Sequence, residues 1–199
     1  MALEFTSMSV GPMDNNAYLL RCTETGAQLL IDAAAEDDKL VSWIGDAGLE
    51  SVVTTHQHAD HWGALEDVVE VTGAESLAHA ADAAGIPVVT RTVDEGDVIS
   101  VGSVNLEVIH LVGHTPGSIT LVYRDPNGPA LLWTGDSLFP GGVGNTQGDA
   151  ERFTSLINDV ERKIFDKFPD DTKFYPGHGR DSTLGAERPS LPEWRERGW

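Results

Sequence analysis

Six consecutive positions, His56-Gln57-His58-Ala59-Asp60-His61, carry three imidazoles and one carboxylate. That density constrains the fold more than any other feature of the chain. Four groups able to ligate a metal strain an ordinary turn, because each must find a partner when it leaves water. In an extended segment side chains alternate, so His56, His58 and Asp60 are expected to point one way while His61 turns off as the chain bends into a helix. The β-branched run Glu50–Thr55 before it reads as a strand, and the segment beginning at Trp62 reads as helix. The ligands are therefore expected at the carboxyl end of a strand.

The rest of the chain supplies a framework for them. Residues 3–33 read as an antiparallel meander of three strands, 3–10, 16–22 and 28–33, punctuated by Gly-Pro and Glu-Thr-Gly turns. Asp32 closes the third run, where it either braces a ligand histidine or serves a cap or turn. Leu40, Val41 and Ile44 give helical spacing within 36–47. A short strand at 75–79 and a short helix at 80–85 follow, with His79 read as an isolated surface or packing residue. Five further strands are expected at 88–93, 98–101, 104–112, 119–123 and 130–134. His110 shares a face with Val104, Leu106, Val108 and Val112 and reads as a core or rim histidine. A helix over 149–168 carries Phe153, Leu156, Ile157, Val160, Ile164 and Phe165 on one face, and a strand at 172–175 ends the pattern. The Gly-rich stretch Pro140–Asn145 lacks the Gly-Lys-Ser/Thr ending of a phosphate cradle, so it reads as a connection over the site rim or a substrate-binding loop. Cys22 is the single cysteine and reads as a strand packing residue.

Length and charge narrow the partners. A chain of 199 residues suits one domain, 1–199, built of two β-then-α halves. A net charge of −19 repels nucleic acid and anionic membranes, which leaves a small-molecule substrate as the expected partner. No apolar run approaches the roughly 20 residues of a membrane span, and the start has no signal-peptide pattern, so a soluble cytoplasmic protein is expected. The tail, 191–199, is expected to dock on its own domain or on a second copy in a homodimer.

Three later signals repeat the form of the first, each placing a metal-competent residue after an apolar strand among small residues. They are Gly113-His114-Thr115-Pro116-Gly117-Ser118, Thr134-Gly135-Asp136-Ser137 and Pro176-Gly177-His178-Gly179. With the first stretch they total five histidines and two aspartates, enough for two metals. This ordered set resembles the metallo-β-lactamase superfamily and, within it, the glyoxalase II-like (hydroxyacylglutathione hydrolase-like) metallohydrolases. The resemblance implies an α/β fold, a four-layer αββα sandwich with the site along one edge. It further implies that His56, His58 and His114 hold one divalent ion, that Asp60, His61 and His178 hold a second, and that Asp136 bridges them. Zinc is the expected metal, with iron or a Zn/Fe mixture as alternatives.

Departures from the resembling branches narrow the reading. The flavodiiron branch has Glu where this chain has His58, and lactamase branches replace the bridging acid or the second-site histidine, whereas Asp136 and His61 are both present. Glyoxalase II proper carries a helical C-terminal domain, but 21 residues, 179–199, follow His178 here, and Asn145 stands where that family has Lys. Two divalent ions about 3.5–4 Å apart lower the pKa of a shared water toward 7 and polarise a carbonyl. A thiolate, with a thiol pKa near 8.5, then leaves without a strong general acid. The expected activity is thus hydrolysis of a small acyl-thiol, with Asp60 or a bound water as proton donor. The alternatives are a persulfide dioxygenase with a single iron on His56, His114 and Asp136, and an acyl-homoserine lactonase. A non-enzymatic scaffold is disfavoured, because structural zinc is closed by four ligands. Arg91, Arg152, Lys173 and Arg180 are candidates for a substrate carboxylate or for surface ion pairs. Trp62 and Phe139 are candidates for an apolar wall or for the core.

Overall fold

A computed structural model describes residues 2–198. Strands β1 (Leu3–Val10) and β2 (Asn15–Cys22) form an antiparallel hairpin, and β3 (Gln28–Ile31) extends it with Tyr18 opposite Ile31. From there pairing turns parallel. Helix α1 (Asp37–Ile44) carries the chain over to β4 (Ser51–Val53), and α2 (Leu65–Thr72) carries it to β5 (Glu75–His79), beside which β6 (Arg91–Val93) lies. Parallel neighbours need such crossovers, since a tight turn joins only antiparallel strands. The sheet order is β1-β2-β3-β4-β5-β6.

The second half builds a sheet of the same size. It contains β7 (Val98–Val101), β8 (Val104–His110), β9 (Ile119–Tyr123) and β10 (Leu131–Gly135), joined antiparallel. A small hairpin of β11 (Leu138–Phe139) and β12 (Gly142–Val143) precedes helix α3 (Ala150–Asp159). Strand β13 (Lys173–Pro176) then returns parallel to β10, and β14 (Ser182–Thr183) closes the edge before α4 (Leu184–Glu187) and α5 (Leu191–Arg197).

Alternate residues of the inner strands feed different apolar layers, as the period of two requires. Leu29, Ile31, Val53 and Leu77 meet Leu106, Val108, Leu121 and Trp133 between the sheets. Leu30, Val52 and Ala78 face outward under Leu40 and Ile44 of α1 and Leu65 and Val68 of α2. Val122, Leu132 and Phe174 face the other way under Phe153, Leu156 and Ile157 of α3 and Trp194 of α5. Each such large side chain contributes about 1.5–3 kcal/mol on burial. Burial on both faces is why β3, β9 and β10 carry the consecutive apolar residues Leu29–Ile31, Leu121–Tyr123 and Leu131–Trp133. The result is the expected αββα sandwich.

Local differences from the sequence reading have local causes. Helix α2 begins at Leu65 rather than near Trp62, because Ala59–His61 forms a tight 3-10 turn and the Trp62 indole donates back to the Gln57 carbonyl at 2.8 Å. Only Ala83–Gly85 of the segment 80–85 forms a helical turn. The helix expected over 149–168 is α3 followed by a π-helical stretch, Val160–Phe165. Its wider turn keeps Ile164, Phe165 and Phe168 together on the sheet. The described part of the tail docks on its own domain, with Trp194 buried and its ring 6.1 Å from that of Phe165. Trp199 lies outside the described residues. No helix among them is long and apolar enough to cross a membrane.

Candidate metal centre

All seven residues singled out in the sequence converge where strands of both sheets end. His56 to His61 follow β4, His114 follows β8, Asp136 follows β10 directly, and His178 follows β13. His56 Nε2, His58 Nδ1 and His114 Nε2 form one triangle with sides of 3.0, 3.0 and 3.3 Å. Asp60 Oδ2, His61 Nε2 and His178 Nε2 form a second group, with Asp60 3.5 Å from His61 and 3.3 Å from His178. Asp136 stands between them. Its Oδ2 is 3.8 Å from His114 Nε2 and 3.6 Å from His178 Nε2, while Oδ1 is 3.4 Å from His61 Nε2. The alternation expected to put Asp60 beside His56 and His58 fails, because the 3-10 turn at 59–61 rotates Asp60 and His61 together toward His178.

The far side of four rings is held by the protein. The Nδ1 atoms of His56, His61, His114 and His178 meet Thr55 Oγ1 at 3.1 Å, Asp32 Oδ2 at 2.8 Å, the Asn145 carbonyl at 2.9 Å and the Met13 carbonyl at 3.1 Å. In a neutral ring, donation through Nδ1 leaves the Nε2 lone pair facing the cluster, the tautomer a ligand needs; His61, flanked by carboxylates, reaches that state by giving up a proton. Asp32 therefore braces His61, one of the expected ligand histidines. It also accepts from the Thr55 amide and hydroxyl, and it holds a left-handed backbone at φ 59° to do so. Asn15, which no sequence signal marked, donates to Asp60 Oδ2 at 2.9 Å and ties the start of β2 to the last ligand loop.

The sequence profile of the metallo-beta-lactamase superfamily matches residues 10–178, from the end of β1 to the last histidine of the cluster. The chain belongs to that superfamily. A hydroxyacylglutathione hydrolase of Polaromonas sp. is 36% identical over 166 residues, 82% of this chain and 62% of that protein, so the chain spans under two thirds of that relative's length. Hydroxyacylglutathione hydrolase GloC of Haemophilus influenzae is 31% identical, with 92% of this chain and 94% of that one covered. Among solved structures, ETHE1 from Myxococcus xanthus superposes with a TM-score of 0.82 at 27% identity, over 97% of this chain and 85% of that one.

Members of the metallo-beta-lactamase superfamily are metallo-hydrolases that bind metal ions, and the donors here fit that role. Donor atoms around a four-coordinate ion with bonds of about 2.0–2.1 Å lie roughly 3.3 Å apart, close to the spacing within both groups. His61 Nε2 and Asp136 Oδ1 are buried with no hydrogen-bond partner, a cost that a bound cation removes. Charge states are prepared too. Burial, reinforced by its imidazole neighbours, holds His56 well below the ordinary histidine range, and burial lowers His114. Burial opposes charge on His61 as well, but the Asp32 and Asp136 carboxylates outweigh it and push His61 up to about 10. Burial would raise Asp60 and Asp136; the Asn15 hydrogen bond and nearby histidines hold Asp60 low, and His61, His178 and His114 hold Asp136 low.

A sign follows for metal loading. His56 and His114 are already neutral at pH 7, whereas His61 carries a proton that a cation must displace. Loading of the Asp60–His61–His178 group is therefore expected to release about one proton, and its affinity to rise about tenfold per pH unit between 6 and 9. Calorimetric titration in two buffers of different ionisation enthalpy measures this; no proton release on loading of the Asp60–His61–His178 group would contradict it. Asp32→Asn is expected to lower affinity at the same group by about 10–100-fold, because one oxygen cannot accept every donor that two oxygens now serve. Competition with a chelator reads that loss.

Two sequence readings change. The Gly-rich stretch Pro140–Asn145 is a support rather than a loose cover: a Cβ on Gly144 would lie 2.9 Å from His114 Nδ1 and collide with the Asp136 carbonyl. His79, read as isolated, is buried and stacks on His110 with ring centroids 3.8 Å apart. The two ring planes are 23° apart, and His79 Nδ1 accepts the Ala81 amide. With Asp94 it is a hydrogen-bonded cluster.

A cleft of about 480 Å³ opens beside the three-histidine group, lined by Gln57, His58, His114, Pro116, Gln147 and Arg152 among others. Of the four candidate cations, Arg152 alone lines it, donating to the carbonyls of Gly113 and His114. Arg91 pairs with Glu75, and Lys173 and Arg180 are exposed elsewhere. Trp62 packs in the layer under α1 and α2, and Phe139 lines a separate cavity with Pro140 and Val143.

Proposed function

We propose that the chain is a binuclear metal-dependent hydrolase that cleaves a small acyl-thiol. His56, His58 and His114 would hold one divalent ion and Asp60, His61 and His178 the other, with the Asp136 carboxylate shared between them. The observation that carries the reading is the single carboxylate lying between two complete groups of three donors. When bound, such a pair of cations supplies an acidified water and an electrophile for a carbonyl. The protein's own part is to keep the donors neutral or anionic as required, to admit the substrate along the cleft past His58, and to present a proton acceptor. Asp60, a quarter exposed and fixed by Asn15, is the group we assign to take and return a proton at the reacting edge. Arg152 on the cleft wall suits a substrate with an anionic thiol carrier. Names of relatives at 31–36% identity support thioester hydrolysis as the first activity to test.

The test is hydrolysis of lactoylglutathione and other acyl-thioesters by zinc-loaded protein against metal-free protein. Equal rates in the two would overturn the proposal. A second reading, a persulfide dioxygenase with one iron on His56, His114 and Asp136, draws on the likeness to ETHE1. One iron per chain with oxygen uptake on glutathione persulfide would select it over the hydrolase.

A further inference from the structure

Asp82 lies outside every motif, in the turn between β5 and β6, and is 0% exposed. Its carboxylate accepts three hydrogen bonds, from two loops far apart in sequence. Oδ2 takes the Gln57 amide at 3.0 Å and the Thr115 hydroxyl at 2.5 Å, and Oδ1 takes the Gly117 amide at 2.7 Å. Gln57 sits between His56 and His58; Thr115 adjoins His114. One side chain thus ties together the two loops that bring the three imidazoles into a triangle. The packing around it is closed. A Cβ on Gly117 would lie 2.7 Å from the Asp82 amide nitrogen, and one on Gly85, in the same turn as Asp82, would lie 2.6 Å from Gln57 Oε1.

The other group of donors has its own direct supports, Asp32 on His61 and Asn15 on Asp60, and Asp32 reaches the first group only at one remove, through the Thr55 hydroxyl that meets His56 Nδ1. From this division we infer that Asp82 is a positioning residue dedicated to the His56–His58–His114 site, setting its metal affinity independently of the Asp60–His61–His178 site. The inference rests on the proposal that these imidazoles are ligands. An imidazole triangle built on two separate loops keeps 3.0–3.3 Å spacing only while the loops keep their mutual height, and the Asp82 carboxylate is the side-chain link between them, beside the backbone bond from the Ile119 amide to the Thr55 carbonyl at 2.9 Å. Thr115 has a matched position: its amide bonds Ser118 Oγ while its hydroxyl is given to Asp82, so its backbone and side chain are both fixed.

Asp82→Asn is the sharp variant. An Asn whose oxygen serves the Gln57 amide and the Thr115 hydroxyl turns its NH2 on the Gly117 amide, donor against donor across 2.7 Å. Metal-free wild type, Asp82→Asn and Asp32→Asn are titrated with Co²⁺ against a competing chelator, following the visible absorption bands of each site, and with Zn²⁺ by elemental analysis. Expected is a loss of about 10–100-fold at one site in Asp82→Asn, with an altered band shape for that site, and in Asp32→Asn a loss that is larger at the other site, where Asp32 bonds His61 directly. Thr115→Val, which removes the hydroxyl's bonds to Asp82 and to Ser118 Oγ and keeps shape, should weaken the same site as Asp82→Asn, and Thr115→Ser should restore it. Unchanged affinities at both sites in Asp82→Asn, or an equal fall at both, would overturn the inference. If Asp82→Asn does not fold, the Thr115 pair decides: no difference between Val and Ser overturns it. Wild type that binds no metal would instead sink the proposed function, a result distinguishable from these.

Discussion

Asp136→Asn is expected to leave at most one tightly bound divalent ion per chain and to cut thioester turnover by more than the roughly 10–100-fold typical of residues that act through a ligand. Both oxygens of Asp136 are committed. Oδ2 approaches His114 on one side and His178 on the other, and Oδ1 faces His61. An amide in its place offers one oxygen, no charge and an NH2 group turned on one of the metal positions. The negative charge matters as much as the geometry, because two cations held close together repel each other unless an anion lies between them. Elemental analysis and an acyl-thiol assay on the same preparation check the prediction. Two ions retained with full turnover would remove Asp136 from the centre of the account.

Gly177→Ala should be nearly as damaging without touching a donor. The backbone of Gly177 is not among the left-handed positions, so alanine can adopt it. The obstacle is space: its Cβ would lie 2.6 Å from His61 Cε1 and against Asp136 Oδ1. One methyl therefore pushes on a ligand of the second group and on the bridging acid together. Overpacking of this kind costs about 1–3 kcal/mol. The melting temperature of metal-free protein is expected to fall by several degrees, while metal content and turnover fall far more. A variant with normal metal content would show that the ring and the carboxylate can yield at no cost.

How much of this was legible beforehand differs by element. The seven donors could be read from the sequence because metal chemistry restricts residue type, and each sits where an apolar run stops at small residues. Strands buried on both faces were legible for the same kind of reason, as the runs Leu29–Ile31 and Leu131–Trp133 illustrate. The alternation argument wrongly put Asp60 beside His56 and His58, because a three-residue turn breaks the alternation there, whereas the resemblance grouped it with His61 and His178, the neighbours it has. Asn15 and Asp82 escaped notice since an acid or amide in a turn has many uses, and only tertiary contacts reveal which one it serves. Asp32 was left between two roles; its left-handed backbone and its bonds to Thr55 and His61 decide the matter. The π-helical stretch after α3 was equally silent, because Ile164 and Phe165 satisfy an ordinary helical stripe just as well.

The apolar layer between the two sheets is remote from the donors, yet four of them hang from the first sheet and three from the second. Cation binding and cohesion of that seam are consequently in thermodynamic linkage: whatever loosens Leu106 against Leu29 raises the dissociation constant of ions it never touches, and saturating ion protects the seam by RT ln(1 + [L]/Kd). A cell short of metal would hold a softer molecule, and one rich in metal a stiffer one, with no change in sequence.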